Sequence, residues 1–128
     1  MNKCFLTITS VADGKETAFT RTGEFESSLN STLIRYKEDN AEVTLRLENG
    51  VVDIERQGDY TLRLHLKKGE RTQGVLGIKG SQGVIQTDTG RIAYSVTETS
   101  FMLSLKYSLI IGEETQEMKF RLYAKTEG

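Results

Sequence analysis

The stretch Phe101-Met102-Leu103-Ser104-Leu105-Lys106-Tyr107-Ser108-Leu109-Ile110-Ile111 decides the fold. Its odd positions are apolar and its even positions are mostly polar. Successive side chains on a strand point to opposite faces, so Phe101, Leu103, Leu105, Tyr107, Leu109 and Ile111 build one apolar wall. The same two-residue rhythm returns in Val43, Leu45 and Leu47, in Leu62, Leu64 and Leu66, and in Met118, Phe120, Leu122 and Ala124. Nothing at helical spacing competes with it.

Working outward, the turn signals are regular. The chain has no Pro, so Gly, Asn and Asp must make the turns. Asp13-Gly14 separates a strand over 3–12 from one over 15–26, and Asn49-Gly50, the strongest hairpin signal, separates 41–48 from 51–57. Gly58-Asp59 precedes 60–68, Thr89-Gly90 divides 83–88 from 91–98, and Gly112-Glu113-Glu114 divides 101–111 from 115–125. Segments 29–37 and 73–80 also read as strands. The total is roughly nine or ten short strands joined mainly by hairpins. A meander of that length leaves two exposed edges unless it closes on itself. The expected fold is therefore all-β: a single domain over 1–128, folded as an antiparallel up-and-down barrel of about 8–10 strands.

Composition narrows the function classes. The 128 residues are enough to bury a core without disulfides or metals. Charged residues are 27% of the chain and balance to −1, which argues against nucleic acid and against a polybasic membrane-surface binder. No run is long enough for a transmembrane helix. Met1-Asn2-Lys3-Cys4-Phe5-Leu6-Thr7-Ile8 does not read as a secretory signal, and the single Cys makes no internal disulfide, so a cytoplasmic setting is expected.

The informative positions are polar residues on apolar faces. Arg21 lies between Phe19 and Phe25 in strand phase. Arg56 follows Val52 and Ile54, Glu38 follows Ile34 and Tyr36, Thr87 follows Ile85, and Tyr107 sits between Leu105 and Leu109. An unpaired buried charge is costly, so two inward guanidiniums need acceptors. They could be internal staples, most simply to Glu38. They could be forks for a ligand carboxylate or phosphate. Or they could sit at a rim with buried stems and wet heads.

Other residues read more simply. His65, between Arg63 and Lys67, fits a solvated strand face, and Cys4 fits the core with Leu6 and Ile8. One His and one Cys form no metal set, so no metal and no cofactor are implied. Gly69, Gly74, Gly77, Gly80, Gly83 and Gly90 crowd one stretch, but β-type residues follow instead of a helix, which suggests a bent, bulged strand pair or a flap rather than a phosphate loop.

The order Thr20-Arg21-Thr22-Gly23, Tyr36-x-Glu38, Arg56-x-Gly58, Thr87, then Tyr107-x-Leu109 and Gly112 resembles the YwiB-like family over nearly the whole chain. The closest stretch is Tyr107-Ser108-Leu109-Ile110-Ile111-Gly112-Glu113-Glu114. The resemblance implies a calycin-type, lipocalin-like barrel in a small bacterial protein, and supplies no activity. The chain departs from true lipocalins in having no Trp, and it has no Tyr in Thr72-Gln73-Gly74-Val75-Leu76-Gly77.

Three functions compete. The first is a non-enzymatic binder of a small apolar or anionic molecule, using Arg21, Tyr36, Glu38, Arg56, Thr87 and Tyr107 as ligand-binding residues; a barrel of about eight strands can enclose one small molecule. The second is a protein-interaction or structural module with a side-chain-filled barrel, compatible with a homodimer through outward Phe5 and Ile110. The third is an enzyme, disfavoured because no nucleophile, base and orienting group assemble from these residues, so no catalytic residue is assigned.

Overall fold

A computed structural model describes residues 2–126. Ten strands follow in order: β1 Asn2–Ala12, β2 Lys15–Ser27, β3 Ser31–Glu38, β4 Ala41–Glu48, β5 Val51–Gln57, β6 Tyr60–Leu66, β7 Arg71–Ile78, β8 Ser81–Val96, β9 Ser100–Ile111 and β10 Glu114–Thr126. Each pairs antiparallel with the next, and β1 closes the barrel against β10 from Cys4↔Thr126 to Ala12↔Met118. That closing ladder removes both edges of the meander. No helix among the described residues is long and apolar enough to cross a membrane.

The hairpins form where turn chemistry allows. Asp13-Gly14, Asn49-Gly50 and Lys79-Gly80 all hold positive φ at both central residues, the geometry that matches strand twist in a two-residue turn. The segments 83–88 and 91–98 expected as separate strands are one strand, β8. Thr89-Gly90 is not a turn but a bulge: the register against β9 shifts between Thr89 and Arg91 and pairing then continues to Val96↔Phe101. β9 is long enough to pair with both halves, so the ladder survives the inserted residue. Gly23 marks a close approach. A Cβ there would lie 2.4 Å from the Arg35 carbonyl oxygen, so only Gly lets β2 and β3 meet at this point.

The alternation read from the sequence becomes the core. Cys4, Leu6, Ile8, Phe25, Ile34, Leu45, Val52, Leu66, Phe101, Leu105 and Leu122 are essentially buried. The two ends of the lumen differ. At the end that carries residues 28–30 and the Asn49-Gly50 turn, Phe25, Phe101, Leu47, Val52 and Leu66 fill the interior, with the Phe25 and Phe101 rings 6.5 Å apart. The 28–30 segment is tied down by Ser28 N–H donating to Ser31 O and Asn49 N–H donating to Asn30 O. At the opposite end, inward Phe19, Ile54, Leu62, Leu76, Met118 and Phe120 pack on the core but stay only partly buried. One end is sealed and the other is an apolar mouth.

Candidate functional site

Strand parity and register carry the polar residues to the mouth. Arg21 on β2 pairs with buried Leu6, Tyr36 on β3 pairs with Gly23, Glu38 ends β3 opposite Ala41, and Arg56 on β5 lies between Val43 and Leu62. Tyr107 on β9 faces the lumen from the other wall, opposite Met118. At Gly83 on β8, paired with Leu76, an added Cβ would meet nothing within 4 Å, so the mouth has open space on that side.

Arg21 and Arg56 are rim residues, the third of the expected arrangements. Arg21 is about one-third exposed (34%). Its guanidinium stacks on Phe19 at 4.6 Å, and its Nη1 donates to Thr20 O at 2.9 Å. Its carboxylate neighbour is Asp39, 3.9 Å away in the β3–β4 turn, rather than Glu38. Much of its donor fork is therefore uncommitted. Arg56 is more enclosed, 15% exposed. It stacks on Tyr60 at 3.7 Å, and it donates to Tyr60 O at 2.9 Å and to Asp59 Oδ1 at 3.0 Å. That hydrogen bond holds the Asp59 carboxyl below its usual range. The Arg56 Nε is buried and has no partner.

The two phenols form the floor. Burial is the main cause that raises the Tyr36 hydroxyl well above its usual pKa; Glu38 and Tyr107 add to the rise and Arg21 opposes it. Burial pushes Tyr107 up to about 12. Both phenols are neutral donors at neutral pH, beside a free guanidinium face.

Thr87 is not brought to the mouth. It is fully buried, and its Oγ1 lies 2.8 Å from Thr72 Oγ1, which in turn bonds the His65 carbonyl. Its inward parity was legible, but its hydroxyl serves a cross-strand pair between β7 and β8. His65 points outward beside Asp53, and Cys4 is buried on the inner face, so the two are not brought together. No group of three or more His, Cys, Asp or Glu among the described residues is placed to hold a metal ion.

Sequence reasoning missed the wall and the rim acceptors. Leu62, Met118 and Phe120 read as ordinary core, because partial exposure depends on where the barrel opens. Asp39, Asp59 and Tyr60 sit in or beside turns, where Asp is expected as a turn former. A hollow of about 890 Å³ lies along the wall of β2 to β5, lined by opposite charges, among them Arg35, Glu42, Arg46 and Glu55, and it also reaches Arg21 and Tyr36.

The barrel fold has a counterpart among solved structures. A crystal structure titled as the ywiB protein from Bacillus subtilis superposes with a TM-score of 0.83 over 99% of this chain and 93% of that one, at 18% identity. That likeness extends the barrel, and only the barrel, to both. No curated protein matches the sequence. The model of a family described as Domain of unknown function (DUF1934) matches residues 6–122, and the chain belongs to that family.

Proposed function

We propose that this protein is a non-enzymatic binder of a small molecule with an apolar body and an anionic head, seated in the open mouth of the barrel. The observation that carries this reading is Arg21: a guanidinium at the rim, one-third exposed, above a partly exposed apolar ring and beside two neutral phenols. Binding pockets have this character, mostly apolar walls with a few placed polar groups. The ligand head would take the free face of Arg21 and the hydroxyls of Tyr36 and Tyr107. Its acceptor atoms would also offer a partner to Arg56 Nε. Glu38 would discriminate against a second negative charge. Thr87 stays outside this site. The ligand lies in the mouth rather than deep in the barrel, because side chains fill the lower lumen. The lone buried thiol of Cys4 is compatible with a cytoplasmic setting.

A thermal-shift series with medium-chain fatty acids and small aromatic carboxylates tests the reading. Stabilisation by at least one anionic amphiphile, and none by its neutral alcohol, is expected, with the response lost in Arg21→Met. Equal response to acid and alcohol, or none across the panel, would contradict it. The sealed lower lumen also favours a second reading, a structural or interaction module. In that case no ligand stabilises the protein, and light scattering should show mass rising with concentration.

A further inference from the structure

The outer wall formed by β8, β9, β10 and β1 carries a charge pattern that folding alone does not explain. Register places Arg91 opposite Lys106 and Lys106 opposite Lys119, so three cations stand side by side on three adjacent strands. All three are exposed. Cross-strand partners have Cβ atoms about 5 Å apart, and like charges at that position destabilise a sheet. Arg121 joins them one repeat further along β10. None of the four makes an ion pair among the described residues. The carboxylates of the next row are committed elsewhere. Asp88 chelates Arg71 with two bonds of 2.7 Å, and Glu117 accepts from Ser108 Oγ at 2.9 and 3.0 Å.

Beside this row the surface turns aromatic. Tyr123, opposite Met102, lies two residues beyond Arg121, about 6.6 Å along the strand. Tyr123 is 40% exposed, Met102 54% and Phe5 51%. Arg91, Arg121, Met102 and Tyr123 line one groove of about 460 Å³.

The geometry points to this face as a binding site for single-stranded nucleic acid. Phosphates would lie on the row Arg91, Lys106, Lys119 and Arg121, and bases would stack on Tyr123 and Phe5. The outward rings stand beside the cation row, Tyr123 about one nucleotide's reach from Arg121. A ligand whose repeat unit carries one charge and one flat ring matches that pattern. An acidic peptide supplies the charges but not the rings. The near-zero net charge of the whole chain averages over this face and its acidic surroundings; distribution, not the sum, is what a phosphate backbone meets.

The test is fluorescence anisotropy with labelled oligo-dT and oligo-U strands, run against poly-glutamate as competitor. Saturable binding is expected, with log K falling against log salt at a slope of about −3, as four phosphate contacts at about −0.7 each require. Lys106→Glu places a carboxylate between Arg91 and Lys119. It should weaken binding by about tenfold or more while the melting temperature holds or rises, because it also relieves repulsion. Lys106→Gln is the neutral control, weaker in binding by a smaller factor. Tyr123→Ala should weaken binding without changing the salt slope. The assignment is overturned by no saturable binding, by binding indifferent to both Lys106 variants, or by poly-glutamate displacing the strand at equal charge concentration. That last result would make the face a dock for an acidic protein.

Discussion

The guanidinium of Arg56 lies 3.7 Å above the ring of Tyr60 and also bonds that residue's carbonyl oxygen at 2.9 Å. One side chain thereby fastens the start of β6 to the end of β5. Arg56 is mostly enclosed, so this tie is not screened as a surface contact would be. Arg56→Met should destabilise the protein by about 2–4 kcal/mol, the sum of a cation–π contact of about 0.5–1 kcal/mol and a charge-assisted hydrogen bond of about 1.5–3 kcal/mol. Urea denaturation measures it. An unchanged midpoint would mean that Arg56 is not a turn staple.

Arg21 should behave differently. It is more exposed, its carboxylate neighbour is 3.9 Å away, and its one short hydrogen bond goes to the adjacent residue. Arg21→Met should change stability by no more than about 0.5 kcal/mol, as for most surface substitutions. A large loss in the same urea experiment would make Arg21 a structural residue.

The buried phenols set an alkaline limit. Tyr107 is pushed up to about 12 and Tyr36 is raised further. An unfolded Tyr titrates near about 10, so above that pH the unfolded chain binds fewer protons than the folded one. Stability is then intact below about pH 10 and falls as pH rises through the folded values, by about 1.4 kcal/mol per pH unit for each phenol. The Tyr36→Phe/Tyr107→Phe variant should lose less stability over that window than the parent. Parallel pH profiles would show that neither phenol is buried in solution.

The sealed end should be the most sensitive to truncation. Phe101 is fully buried against Phe25. Phe101→Ala should cost about 3–5 kcal/mol, measured by chemical denaturation. Met118→Ala at the mouth should cost distinctly less, because that side chain is only partly buried. Equal costs would argue that the two ends are packed alike.

Most of the fold was legible because a barrel wall obeys a period of two, and because Asp13-Gly14 and Asn49-Gly50 are turn chemistry with a mechanism. The division at Thr89-Gly90 failed because a bulge and a turn share the same residue, Gly. Only the length of the partner strand β9 distinguishes them. For the mouth, Arg21 and Arg56 stood out as charges in apolar phase. Their acceptors did not, since Asp39 and Asp59 meet the arginines only through turn geometry. Thr87 shared the inward phase but found its partner in Thr72. The row Arg91, Lys106 and Lys119 was invisible in the sequence, because it exists only in the register between three strands.

The most direct measurement of the mouth as a binding site is a ¹⁵N–¹H NMR titration with a medium-chain fatty acid. Amide shifts gathered around Arg21, Tyr36, Glu38, Arg56 and Tyr107, saturating together and absent with the matching alcohol, are the expected result. Shifts confined to the outer wall of β9, β10 and β1, or no saturable shifts at any concentration below micelle formation, would contradict it.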